Sequence, residues 1–234
     1  MTKVQRREYI CVNCQKSSRT LYTKYSEGVI RLTECENCDN VVDKYIEYDI
    51  VLLVIDLLLQ YVEAYRHLLH NLEIKRPTRL FVIFWFSNAY DTWIGERMAT
   101  NRDNIYDLEW MFYKSVLSSA LQMGAFLVIV LAFEIFTKRA KPDFKRLKHL
   151  VYSTLLGFYG NVAVVLSIVF RLSDQKSYQI VFSFFLFVSH LQVQRVLFPL
   201  YSLLDNMIVT VIAEIVSRFV KNWLESSTEV LPVF

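Results

Sequence analysis

The four cysteines of this chain stand as two pairs, Cys11-Val12-Asn13-Cys14 and Cys35-Glu36-Asn37-Cys38. Two residues between cysteines let both thiolates of a knuckle face one ion. About 20 residues between the pairs are enough for a hairpin that returns the second knuckle to the first. The intervening sequence suits that path. Thr20 to Tyr25 and Val29 to Thr33 are rich in Thr, Tyr, Val and Ile, and Ser26-Glu27-Gly28 supplies a turn with a glycine available for positive φ. The pattern is that of a zinc ribbon holding one structural ion through four thiolates, with no open position for an activated water. The alternative is a pair of disulfides, which a secreted N-terminus would favour, but Met1 to Tyr9 is charged and has no apolar stretch of the signal-peptide kind. A ribbon this small has little core, so metal binding is expected to supply most of its folding free energy.

Beyond the ribbon the chain reads as membrane. It is 54% hydrophobic and 15% aromatic with five glycines in 234 residues, which points away from disorder and toward long helices in lipid. A net charge of +3 selects no partner, and acids and bases are roughly balanced across Met1 to Asp49, so the basic face of a nucleic-acid-binding ribbon is missing. No nucleic-acid partner is expected. No repeat or low-complexity linker separates head from body; the composition changes near Tyr48.

The first apolar run, Ile50 to Tyr61, is too short to span, because crossing takes about 20 residues. Asp49, Asp56, Gln60, Glu63, His67 and His70 recur at helical spacing opposite Leu53, Ile55, Leu57, Leu58 and Leu59. An amphipathic helix over Lys44 to Asn71, lying on the bilayer, is the simplest expectation. Packing on the ribbon as soluble core is the alternative, and a full span with Asp56 near its middle would cost at least about 2.5 kcal/mol. Beyond Arg76-Pro77-Thr78-Arg79, spans are expected at Leu80 to Ile94, Met111 to Phe136, Leu150 to Phe170 and Tyr178 to about Leu197. Met207 to Val220 is a short apolar run with Glu214 inside it, which lies flat, re-enters or completes a span. With the head in the cytosol, the loop after the second span carries Lys138, Arg139, Lys141, Lys145, Arg146 and Lys148, against Arg97 and Arg102 or Arg171 and Lys176 in the opposite loops. That orientation also keeps the cysteines in a reducing compartment, where zinc prevails over disulfide.

The expected fold is therefore an α-helical multi-pass membrane protein with a small N-terminal four-cysteine zinc ribbon, built on a β-hairpin and followed by an amphipathic helix. Its parts are the head at 1–43, the interfacial helix at 44–76 and a transmembrane body at 77–234, with about four spans and a C-terminal short apolar helix. Within the body, His190, Gln192, Gln194 and Arg195 form the most polar cluster in an apolar segment. They either line a headgroup pocket or contact another helix; otherwise Arg195 snorkels to the surface and His190 hydrogen-bonds within the bundle. Glu134 stands one turn before Lys138 and is expected to pair with it. His67 and His70 lack a third ligand on their stripe other than Glu63 and are expected among headgroups rather than on a metal. No hydrolase, metalloprotease, nucleotide-binding or paired-carboxylate motif occurs, so no catalytic residue is expected.

With the paired cysteines before them, Asp43-Lys44-Tyr45-Ile46-Glu47-Tyr48-Asp49 and then Ala64-Tyr65-Arg66-His67-Leu68-Leu69 with Asn71 resemble the Arv-homology domain of the Arv family. The likeness covers about Tyr9 to Asn71, and the body agrees as a hydrophobic region of several spans. This resemblance implies an endoplasmic-reticulum membrane protein of lipid homeostasis, with the Golgi membrane as a further location. It would mediate sterol distribution and support sphingolipid metabolism and GPI-anchor synthesis. Its partners would be membrane lipids (sterol, sphingolipid or GPI precursor) and GPI-synthesis enzymes. The alternative is a noncatalytic subunit or scaffold of a lipid-modifying enzyme such as the GPI-initiating glycosyltransferase. The resemblance makes Cys11, Cys14, Cys35 and Cys38 the zinc site and Asp49, Tyr65, Arg66, His67 and Asn71 family-motif positions. Asp56, His190, Gln194 and Arg195 join the latter as candidates for lipid or partner contact.

Overall fold

Each CxxC pair folds into the same turn. In a computed structural model, Gln15 N donates to Cys11 O and Cys11 N to Lys16 O; Asp39 N donates to Cys35 O and Cys35 N to Asn40 O, at 2.8 to 2.9 Å. The residue after each pair, Gln15 at φ 64° and Asp39 at φ 57°, takes the left-handed conformation that closes the turn. The structure describes residues 9–74, 77–100, 104–138, 143–163, 170 and 175–229.

Two short antiparallel pairs frame the knuckles: β1 (Tyr9–Ile10) with β2 (Ser17–Ser18), and β3 (Tyr22–Ser26) with β4 (Val29–Leu32). The second is the hairpin expected from sequence, and Gly28 at its turn has φ 84°, which an L side chain rarely adopts. Cys11, Leu21, Cys35 and Val42 form the small core, with Tyr9 and Ile46 against it.

A single helix from Lys44 to Asn71 does not form. A 3-10 turn at Lys44–Ile46 is followed by α1 (Ile50–Leu58), α2 (Val62–Arg66) and a π-helical turn at His67–Asn71. The break has a backbone cause. Gln60 N donates to Leu57 O and Tyr61 N to Asp56 O, with Gln60 at φ 63°. That is the Schellman termination with glutamine where glycine is usual. The apolar positions of α1 divide accordingly: Leu53 and Leu57 are buried, while Ile50, Val51 and Leu58 are 69%, 61% and 54% exposed.

By its internal packing the chain divides into two units, Met1–Lys75 and Arg76–Phe234. The second is helical: α3 (Pro77–Thr100), α4 (Ile105–Lys138), α5 (Phe144–Leu156) running into a 3-10 segment Gly157–Ala163, α6 (Lys176–Leu197) and α7 (Leu203–Glu229). Helix α4 lies along α3 and α7. Buried Ser115, Ser118 and Ser119 on α4, and Thr210, Ala213 and Ser217 on α7, are the small residues that let helices approach closely. The indoles of Trp85 and Trp93 donate to Val116 O and Leu108 O, tying α3 to α4. At Gly157 an added Cβ would lie 2.7 Å from His190 Cδ2, so the 3-10 segment reaches α6 only because that position has no side chain.

Two helices, Ile105–Thr137 and Lys176–Leu197, are long and apolar enough to cross a membrane by length and composition. Helix α7 corrects an expectation: the short run Met207 to Val220 is part of 27 helical residues, because its charged positions turn to one side. Residues 164–169 of the third expected span, and Arg102, Arg139, Lys141 and Arg171 of the loops, lie outside the described residues.

Candidate metal centre and its polar brace

The two identical turns bring the four sulfurs together. Cys14 Sγ lies 3.6 Å from Cys35 Sγ and Cys11 Sγ 3.8 Å from Cys38 Sγ, and all four lie within 4.8 Å of one another. All four are free thiols, with separations far beyond the ~2.05 Å of a disulfide. Cys11 and Cys35 are buried, and Cys14 and Cys38 are half-buried. Burial would raise the Cys14 thiol, but the Lys16 backbone N–H and the Cys35 and Asn37 side chains outweigh it, bringing it down to about 6. At Cys11 burial prevails and pushes the thiol up to about 11. A cluster of this geometry can hold a metal ion, with the protons of its thiols displaced on binding.

The centre is braced from the far end of the unit. Arg66, on α2, donates from one terminal nitrogen to Val12 O and Asn13 O, both at 2.6 Å, gripping the first knuckle by its carbonyls. Asn71 donates to Ile10 O at 2.9 Å and accepts from Ile10 N at 3.0 Å, pairing with β1 as another strand would. Asn71 also holds Asp43. This wholly buried carboxylate accepts from Tyr45 N at 3.0 Å, from His67 Nδ1 at 2.7 Å and from Asn71 Nδ2 at 2.6 Å. The π-helical turn carries both His67 and Asn71, whose four-residue spacing puts them on one face and on the same carboxylate.

Several sequence expectations are corrected here. His67 is buried on Asp43 rather than set among headgroups. Asp56 is not a free member of a polar stripe: it accepts from the Tyr45 hydroxyl at 2.8 Å, and burial together with that bond raises the Tyr45 phenol. Tyr65 is buried and donates to Gln60 Oε1 at 2.6 Å. Asp49 precedes α1 as its N-cap without a side-chain cap bond. Asp56, Tyr65, Arg66, His67 and Asn71 therefore serve the internal architecture of the unit.

In the helical unit the polar cluster on α6 is dispersed. His190 is buried and its Nδ1 lies 3.1 Å from Glu214 Oε1 on α7. Arg195 donates to Gln192 on its own helix at 3.1 Å, and Gln194 is buried with its amide unpartnered among the described residues. Glu134 is buried against Arg146 of α5 at 3.1 Å, and Arg146 also donates to Leu197 O at the end of α6. The side chain of Lys138, the partner expected from sequence, lies outside the described residues.

The family profile described as Arv1-like family matches residues 10–233, nearly the whole chain. The chain belongs to the Arv1-like family. It is 31% identical over 172 residues to the mouse (Mus musculus) protein named Protein ARV1, covering 70% of this chain and 64% of the mouse protein. The human (Homo sapiens) Protein ARV1 is likewise 31% identical, over 70% of this chain and 63% of that protein. Protein ARV1 of Saccharomyces cerevisiae is 53% identical over 62 residues, 26% of this chain and 19% of the yeast protein. The chain thus spans just under two thirds of the length of its mammalian relatives. No solved structure matches. Membership and the two long apolar helices are consistent with association with membranes.

The residue missed as a site is Asp43, visible in the sequence as the first letter of the run Asp43 to Asp49 but assigned nothing there. Its signal was faint, since its side-chain partners His67 and Asn71 stand 24 and 28 positions away.

Proposed function

We propose that this Arv1-like chain is a noncatalytic, multi-pass endoplasmic-reticulum membrane protein of lipid homeostasis. In this function it mediates sterol distribution and supports sphingolipid metabolism and GPI-anchor synthesis. One zinc ion closes the cysteine centre. Four thiolates at about 2.3 Å from a tetrahedral zinc stand about 3.8 Å apart, which the 3.6 and 3.8 Å sulfur pairs support. The head faces the cytosol, and its partners are membrane lipids and the enzymes that act on them.

The observation that carries this function, beyond family membership, is the outer side of α1. Leu53 and Leu57 anchor the helix in the head, and Ile50, Val51, Val54, Ile55 and Leu58 all face outward. A run of aliphatic side chains of this size on a unit held rigid by Asp43 and the metal is a membrane-insertion face, in the manner of an interfacial helix. It is shorter than the helix first expected over Lys44 to Asn71, since α1 ends at Leu58.

Cells lacking their own family member, supplied with this chain or with Val54→Asp and Leu58→Asp, provide the test. Wild type is expected to restore sterol distribution and surface display of GPI-anchored proteins. The double variant is expected to retain zinc and abundance yet fail. Full restoration by the double variant would sink the role of the α1 face, and no effect of wild type on any lipid measure would sink the function.

A further inference from the structure

The helical unit departs from a water-soluble bundle: apolar side chains face outward, while charged ones line a cleft between helices, with the Arg218 side chain 55% exposed at its mouth. Val82, Phe86, Leu117, Val128, Phe184, Ile215 and Phe219 are all exposed. That cleft is a cavity of about 380 Å³ bounded by α3, α4, the 3-10 segment, α6 and α7 and open at Arg218 and Asn222. That size is within the roughly 300–1,000 Å³ of small-ligand sites. Helix α7 supplies its wall as one stripe, with Glu214, Ser217, Arg218, Lys221, Asn222 and Glu225 at steps of three, one, three, one and three. Ionisable groups on helices in such a setting mark a path or site for a polar solute.

The bonding inside the cavity says which polar solute. Glu214 is already engaged by His190 and by Arg218 Nε at 3.4 Å. Arg218 thereby keeps its two terminal nitrogens for an anion, and Lys221, which spends one proton on Thr92 Oγ1 at 2.9 Å, keeps the others. Asp91 also lines the cavity, feels the Lys221 ammonium, and has no hydrogen bond among the described residues. Asn161 lines it from the 3-10 segment; it is 3% exposed, and its amide nitrogen has no partner among the described residues. Three carboxylates, from Asp91, Glu214 and Glu225, face two cations. The surplus is acidic, which disfavours a net anion and favours a ligand that brings a cation together with any phosphate. The acceptors are carboxylates and amides, which bind N–H groups; a quaternary ammonium would need an aromatic cage.

We propose that this cavity receives a zwitterionic, primary-amine phospholipid headgroup of the phosphoethanolamine kind. Arg218 and Lys221 take the phosphate, Asp91 takes the ammonium, and the Asn161 amide donates to a phosphate or ester oxygen. The acyl chains leave along the apolar outer surface of the bundle. This site rests on the lipid-handling function proposed above and gives it a substrate class.

The test uses the full chain purified with zinc and exposed to equal mixtures of dioleoyl phosphatidylethanolamine, phosphatidylcholine, phosphatidylserine and cholesterol in detergent. Retained lipid is read by native mass spectrometry. Wild type is expected to retain phosphatidylethanolamine at least about tenfold over the other three. Asp91→Asn and Lys221→Gln are each expected to lower that preference about tenfold. Asn222→Trp, at an exposed position of the rim, is expected to block retention without touching a buried bond, which keeps the test decisive if the charge variants fold poorly. Preference for phosphatidylcholine, phosphatidylserine or cholesterol, or a preference unchanged in all three variants, would overturn the cavity assignment while leaving lipid handling in place. Retention of no lipid by zinc-loaded wild type would overturn both.

Discussion

Replacing Asp43 by alanine strands three donors at once: the Tyr45 backbone N–H, His67 Nδ1 and Asn71 Nδ2. Buried donors left without an acceptor cost about 1–3 kcal/mol each. The variant is therefore expected to destabilise the head by about 3 kcal/mol or more. Hydrogen exchange of the full chain in detergent should show the amides of residues 9–72 losing protection together; undisturbed protection would show that Asp43 is dispensable. Tyr45 gives a pH signature. Its phenol is raised above the ordinary value of 10.0 by burial and by the bond to Asp56. Above pH 10 the unfolded chain loses this proton before the folded one does, so the stability it contributes is complete below that pH and declines as pH rises. Tyr45→Phe is expected to flatten the alkaline decline of head stability relative to wild type, and identical alkaline profiles would remove Tyr45 as its source. These residues were only half legible. The period that set Asp56 and His67 on one stripe is real for a helix, but partners contributed by Asp43 and Tyr45 from outside that helix decide where the side chains go.

At the scale of elements, the cysteine knuckles were the most legible part, because ligand spacing and turn geometry are both local. Cys14→Ser or Cys38→Ser is expected to lower bound metal to well below one ion per chain and to open the head to protease, and a chelator should do the same to wild type. Wild-type metal content in either variant, measured by elemental analysis, would overturn the assignment of these thiols as ligands. The end of α1 was illegible for the opposite reason. Its Schellman bonds at Gln60 and Tyr61 form without the glycine that would announce them. Gln60→Val is expected to cost about 2 kcal/mol, since a β-branched residue resists the left-handed conformation and Tyr65 loses its acceptor. Faster exchange at Val62–Arg66 would report it, and unchanged exchange would show that the break survives without Gln60.

For the molecule as a whole, hydropathy located α4 and α6 because their outward surfaces dominate their composition. It shortened α7, whose charges at Glu214, Arg218, Lys221 and Glu225 look like water-facing residues in sequence yet line a cavity between helices. A pattern read along one chain has no means of telling an inward polar face from an outward one. With the head cytosolic, glycosylation acceptors inserted at 101–103 are expected to be modified and those at 139–142 to remain bare; the reverse pattern would invert the topology. The long-range clasp of the head also bears on how the chain is made. Asn71 closes on Ile10 across 61 positions and Arg66 on Val12 across 54, while α3 begins only at Pro77. Every group needed to complete the head is therefore translated before the first residue of the helical body. A ribosome delivering this protein to a membrane would carry a finished, metal-loaded cap at its exit, and a shortage of metal during synthesis would be felt before any part of the body had entered lipid.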